Sequence, residues 1–162
     1  MPLTPGLGRK PSRHTASDMT CGCTDLFLDF TGTLSTDGVI TPGVAERLVG
    51  LSSMFRITVL TADTFGTAAT QLAGLPVELR FVETGADKAE AVLKADPMKV
   101  IAIGNGRNDI PMIEAAGLGI AVVGREGAAA GLVTACDIVV NSILDALEIL
   151  SNPLRLKATL RD

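Results

Sequence analysis

Asp29 ends a run of apolar residues, Leu26-Phe27-Leu28, and is followed at once by Phe30-Thr31-Gly32-Thr33-Leu34. It is the one ionisable side chain in that stretch, placed where a strand gives way to a turn and backbone N–H groups become free. A carboxylate beside unpaired amides and hydroxyls suits nucleophilic attack on phosphorus, the turn holding the phosphoryl oxygens. Three further segments carry complementary groups. Thr61-Ala62-Asp63 follows Ile57-Thr58-Val59-Leu60, Lys88 opens an amphipathic segment, and Gly104-Asn105-Gly106-Arg107-Asn108-Asp109 follows Val100-Ile101-Ala102-Ile103. Thr61 can donate its hydroxyl to a phosphoryl oxygen, and a helix beginning near Asp63 offers free N–H groups. Lys88 can neutralise charge on a transferring group as a compact ammonium. Asp109 with Asp29 can hold Mg²⁺, which takes one or two carboxylates and keeps several waters. Asn108 can hydrogen-bond the phosphoryl group or position the metal shell, and Gly104 and Gly106 let the backbone come close to a ligand.

These residues need elements that bring them together. Short apolar runs predict strands over residues 25–29, 56–60, 77–81, 99–103, 118–122 and 137–140. Amphipathic segments between them predict helices over 42–53, 63–73, 87–95, 108–116, 127–134 and 142–150. Pro42 at a first helical turn, and Gly74 with Pro76 after a helix, mark boundaries. Strand–helix alternation implies an α/β, three-layer Rossmann-like fold, a mainly parallel sheet flanked by helices with right-handed crossovers. In such a sheet, sites form at the carboxyl ends of the strands, where Asp29, Thr61 and the 104–109 loop all fall.

Composition agrees and excludes alternatives. The 162 residues are 47% apolar and only 3% aromatic, a mixture suited to parallel strands covered by Ala-rich helices. The expected organisation is a tail over residues 1–24, one catalytic domain over 25–152 and a short tail over 153–162. A net charge of −4 supplies no broad basic face, so nucleic acid is not an expected partner. No apolar run approaches membrane-spanning length and residues 1–20 lack the apolar centre of a signal peptide, so a soluble cytoplasmic protein is expected. Cys21 and Cys23 flank a glycine, but no second Cys/His pair completes a four-ligand site and His14 lies in the polar tail. Reduced cysteines are the plainer reading.

Asp29-Phe30-Thr31-Gly32-Thr33, Thr61-Ala62-Asp63, Lys88 and Gly104-Asn105-Gly106-Arg107-Asn108-Asp109 together resemble the four motifs of the haloacid dehalogenase-like superfamily. More narrowly they resemble the phosphorylation domain of P-type ATPases, with signatures Asp-Lys-Thr-Gly-Thr, Thr-Gly-Asp and Gly-Asp-Gly-x-Asn-Asp. The continuation from Gly119-Ile120-Ala121-Val122 to Cys136-Asp137-Ile138-Val139-Val140 is similar as well. The resemblance spans residues 25–150, without a cap domain. It implies that Asp29 attacks phosphate to form an aspartyl-phosphate, later hydrolysed by water. Phosphate would be held by Phe30, Thr31, Thr61, Ala62, Lys88 and Asn108, and Mg²⁺ by Asp29, Thr31 through its carbonyl, Asn105 and Asp109.

Two positions depart from the pattern. Thr31 stands where phosphatases of the superfamily carry a second Asp as general acid and base, an assistance typically worth about 10²–10⁴-fold. Asn105 stands where the pumps have a metal-binding aspartate, and Asp63, Asp37 and Glu83 are the nearest candidates to make up the charge. Thr61 and Asp63 can also be read as a helix cap and a first-turn acid, and for Asp63 that reading is as good as a functional one. The function expected is a Mg²⁺-dependent phosphatase of low turnover acting on a small phosphorylated molecule. The alternative is a weakly catalytic or non-catalytic phospho-acceptor that acts through a partner. A dinucleotide site is disfavoured, because Thr-Gly-Thr rather than Gly-x-Gly-x-x-Gly follows the first strand. Residues 35–41 could form a small flap, and closure of the open site by a second copy of the chain is compatible with it.

Overall fold

The computed structural model describes residues 22–161. Leu26, Phe27 and Leu28 extend because an apolar run closed by a turn can bury both faces only as a central strand. They lie in β1 (Asp25–Asp29), at most 4% exposed. The other strands of the main sheet are β4 (Arg56–Thr61), β5 (Glu78–Phe81), β6 (Val100–Gly104), β7 (Leu118–Val122) and β8 (Ile138–Val140). All pair in parallel, in the order β5-β4-β1-β6-β7-β8. Register sets Asp29 opposite Leu60 and Leu28 opposite Ile103, so the carboxyl ends of β4, β1 and β6 lie side by side.

Alternation along each strand divides the core into two layers. Leu26, Leu28, Ile101 and Ile103 face one layer, with α1 (Val44–Leu51) and α6 (Ile143–Ser151) packed over it and on each other. Phe27, Val100 and Ala102 face the other, covered by α3 (Gly85–Lys94), α4 (Ile110–Ala115) and α5 (Ala130–Ala135). The result is the expected three-layer α/β architecture, with no cap domain among the described residues.

Residues 35–41, expected as a small flap, form a hairpin of β2 (Ser35–Thr36) and β3 (Val39–Ile40), its turn held by left-handed Asp37 and Gly38. Two other expectations are corrected. The helix expected over 63–73 shrinks to α2 (Ala68–Gln71): Asp63 itself is left-handed, with φ 55°, and its Oδ1 accepts from the N–H groups of Thr67 and Ala68. Its carboxylate thus caps the helix from outside. Residues 153–162, expected as a tail, contain α7 (Pro153–Leu160), started by Pro153 and tied to the core by buried Leu156. Burying one leucine stabilises by about 1.5–3 kcal/mol, and Leu160 adds a partly buried contact with the same core. The tail expected at the amino end, with Cys21 and His14, lies outside the described residues except for 22–24. There Thr24 already bonds Lys99 and Arg56 across the sheet's lower edge. Cys23 and Cys136 are free thiols, both half-buried.

Candidate active site

Lys88 brings the site together. Its Nζ donates to Asp29 Oδ1 and to Asp109 Oδ1, both at 2.7 Å, and its side chain is 1% exposed. Such a long reach requires α3 to begin close to the rim. The N-terminus of α3 is fixed by a capping box: Thr84 Oγ1 accepts from the Asp87 N–H and Asp87 Oδ2 accepts from the Thr84 N–H. Gly85 lets this turn press on the 104–109 loop, since a Cβ there would stand 2.6 Å from the Asn108 carbonyl oxygen. The helix therefore starts two residues earlier than expected, which places Lys88 one turn in.

Asp109 is fully buried and doubly anchored. Its Oδ2 accepts from the N–H groups of Asn105 (3.1 Å) and Gly106 (2.9 Å), leaving Oδ1 for Lys88. A Cβ on Gly104 would collide with this carboxylate at 2.6 Å, so glycine is needed there for packing. Thr33, to which no role was assigned from sequence, turns back over Asp29 because its N–H bonds the Phe30 carbonyl. Its Oγ1 lies 3.0 Å from Asp29 Oδ2 and 3.2 Å from Asn105 Oδ1. The Asn105 amide nitrogen donates to Gly127, so its oxygen is what faces Thr33. One hydroxyl proton thus serves two acceptors, an excess of oxygen lone pairs that a hard cation would satisfy.

The remaining candidates fall around this centre. Thr61 is buried at the end of β4, its Oγ1 accepting from the Asp63 N–H at 2.9 Å, and Ala62 beside it is exposed. Asn108 and Arg107 are exposed on the 3₁₀ turn Arg107–Asp109. Phe30 is different: its side chain is core, and its carbonyl accepts from Thr33, Leu34 and Ser35, so only its N–H can serve a phosphate. Thr31 Oγ1 is buried with no hydrogen-bond partner, an orphan group beside the nucleophile position. Of the residues considered for extra charge, Asp63 is spent on α2, while Asp37 and Glu83 are exposed on the hairpin turn and before α3. Among the described residues no group of three or more His, Cys, Asp or Glu gathers to hold a metal, so a cation here would rely on two carboxylates.

Electrostatics follow from burial. Desolvation pushes the Asp29 carboxyl up to about 7, and the nearby Asp109 charge adds to the rise. Lys88 and the Thr33 hydroxyl oppose it. Burial by itself would lower the Lys88 pKa, but attraction and hydrogen bonds from Asp29 and Asp109 more than offset it, and the ammonium is held above its ordinary value. Two carboxylates around one ammonium leave an excess of negative charge in a dry site.

Comparison with known proteins places this arrangement in a class. A family model for haloacid dehalogenase-like hydrolases matches residues 68–145, which include Lys88 and the Asn105–Asp109 segment and begin after Asp29. An uncharacterized protein of Methanocaldococcus jannaschii is 51% identical over 74 residues, 45% of this chain and 80% of that one. A zinc-transporting PIB-type ATPase in the E2P state superposes with a TM-score of 0.60 at 27% identity, over 74% of this chain and 20% of the pump. A 3-deoxy-D-manno-octulosonate 8-phosphate phosphatase from Moraxella catarrhalis, in complex with magnesium, phosphate and KDO, gives 0.66 at 12% identity, over 85% of this chain and 91% of that one. The last likeness is one of fold. The fold is that of haloacid dehalogenase-like hydrolases, and residues 68–145 match their family model.

Proposed function

We propose that the chain is a Mg²⁺-dependent phosphohydrolase that acts on a small phosphorylated molecule through an aspartyl-phosphate on Asp29, with low turnover. The observation that carries this reading is the buried Asp29–Lys88–Asp109 cluster at the carboxyl ends of adjoining strands. An Asp29 oxygen attacks phosphorus, the bond to the leaving oxygen breaks, and that oxygen departs with the electron pair. Lys88 opposes the rise that burial imposes on the Asp29 carboxyl and offsets charge on the phosphoryl oxygens. Thr61 and Asn108 side chains and the N–H groups of Phe30, Thr31 and Ala62 hold those oxygens. Water then attacks phosphorus and releases Asp29. Asp29, Asp109, the Thr31 carbonyl and the Asn105 amide oxygen would hold Mg²⁺, whose chemistry when bound is to neutralise phosphoryl charge. Their hard oxygens, and the acceptor excess around Thr33, suit that ion.

Turnover is low in this reading because the Thr31 hydroxyl is too weak an acid to protonate a leaving oxygen and too weak a base to activate water. The same residue supports a second reading, a phospho-acceptor whose aspartyl-phosphate persists and signals through a partner. In both, the compartment is the cytoplasm and neither nucleic acid nor membrane is a partner. No helix among the described residues is long and apolar enough to cross a membrane. A second copy of the chain closing the open rim fits either reading. The test is phosphate release from an aryl phosphate with Mg²⁺ and with chelator, alongside Asp29→Asn. Metal-dependent release lost in the variant supports the hydrolase, and no release above the variant leaves the phospho-acceptor.

A further inference from the structure

A cleft of about 580 Å³ opens beside the Asp29 turn, within the size range of small-molecule sites. Thr33, whose hydroxyl lies 3.0 Å from the Asp29 carboxylate, is one of its lining residues, so the cleft adjoins the candidate nucleophile through that side chain. Val39 and Ile40 of the hairpin form one wall, and Val122 and Ile143 form the other. Among the described residues that line it, the one charged side chain is Arg125. No described carboxylate pairs with it, whereas Arg47, Arg56, Arg80 and Arg155 all have ion partners.

Arg125 does not sit on a loose loop. The Val123 and Gly124 N–H groups bond the carbonyls of Val140 and Asn141. On the far side Gly127 accepts from the Asn105 side chain, and the Ala129 N–H bonds the Asn105 carbonyl. Asn105 is the residue that faces Thr33 over Asp29, so the loop carrying Arg125 is pinned to the catalytic loop itself. An exposed, unpaired guanidinium on a backbone held at both ends, beside a partly apolar cleft with no anion lining it, is complementary to a carboxylate on a short carbon skeleton.

We propose that this cleft receives the leaving group of the phosphoryl substrate, and that Arg125 selects phosphomonoesters whose alcohol carries a carboxylate. The inference rests on the phosphohydrolase reading. The P–O bond to the leaving group breaks as the bond to Asp29 forms, and the oxygen leaves with the electron pair and takes a proton from water, its carbon skeleton against Val39 and Ile143 and its carboxylate on Arg125.

Phosphoglycolate and ethyl phosphate, which differ by a carboxylate in place of a methyl, are titrated calorimetrically into the full chain with Mg²⁺, for the wild type, Arg125→Met and Arg125→Lys. The wild type binds phosphoglycolate about tenfold to a hundredfold more tightly. Arg125→Met collapses the two affinities onto one another, and Arg125→Lys restores part of the gap. Equal affinities in the wild type, no binding of either ester, or an Arg125→Met loss of the same factor for both esters would overturn the proposal, the last because Arg125 would then hold the phosphoryl group. Hydrolysis of both esters is followed in parallel. A carboxylate preference without hydrolysis keeps the cleft and removes the enzyme reading, and hydrolysis without preference does the reverse.

Discussion

Replacing Lys88 by Met should destabilise the metal-free protein through charge rather than volume. The methionine keeps most of the apolar stem, but the ammonium that lies 2.7 Å from both Asp29 and Asp109 is gone. The carboxylates it leaves behind are 6% and 0% exposed, so water cannot take its place. Breaking a buried ion pair on one side costs about 3–5 kcal/mol. At a slope of about 2 kcal/mol per molar urea, the unfolding midpoint in chelator near pH 8 falls by about 2 M. The pH dependence identifies the cause. Because the folded protein raises the Asp29 carboxyl to about 7, the native state keeps a proton that the unfolded chain has lost. The contribution of Asp29 to stability therefore weakens as pH rises from about 4 to 7. Without Lys88 the main attraction opposing that rise is removed, and the window extends upward. Near pH 5 a neutral Asp29 can donate to Asp109, and the cost of the substitution shrinks to about 1–2 kcal/mol. Urea unfolding at both pH values is the assay. Equal losses at the two, or a loss below about 1 kcal/mol near pH 8, would refute the reasoning.

Other outcomes follow from single contacts. Gly85→Ala, a change that in an ordinary helix gains up to about 1 kcal/mol, should instead cost about 1–3 kcal/mol in thermal melts, since its Cβ meets the Asn108 carbonyl at 2.6 Å. Asn105→Asp places a second carboxylate against Thr33, the third in the site, and removes the donor to Gly127. Calorimetry should show Mg²⁺ binding about tenfold tighter, and the metal-free melting temperature should fall. Thr31→Asp restores a proton donor beside Asp29, and steady-state hydrolysis of an aryl phosphate should rise by about 10²–10⁴-fold.

The sheet was legible because its strands are runs such as Leu26-Phe27-Leu28 and Val100-Ile101-Ala102-Ile103, buried on both faces and closed by polar turns. Asp29, Lys88 and Asp109 could be chosen from their places at strand ends and a helix start, and they meet in space. What stayed hidden depends on contacts rather than on periodicity. The two-residue strands of the hairpin are too short to show alternation. Asp63 reads as a first-turn acid, and only its left-handed backbone reveals that it caps from four and five residues away. Thr33 was within view as the fourth residue after Asp29, but its role appears only when the turn folds it back toward Asn105. The helix of residues 153–160 is anchored by buried Leu156 and partly buried Leu160, a spacing of four too brief to stand out beside Arg155 and Lys157.

The central claim is that Asp29 becomes phosphorylated. The full chain is incubated with acetyl phosphate and Mg²⁺, quenched in acid, weighed intact and mapped by peptide mass. The account predicts an acid-stable, hydroxylamine-labile phosphoryl group on the peptide carrying Asp29, absent in Asp29→Asn and longer-lived in the wild type than in Thr31→Asp. A phosphoryl group on another residue, or hydrolysis of substrate by an Asp29→Asn protein, would contradict it.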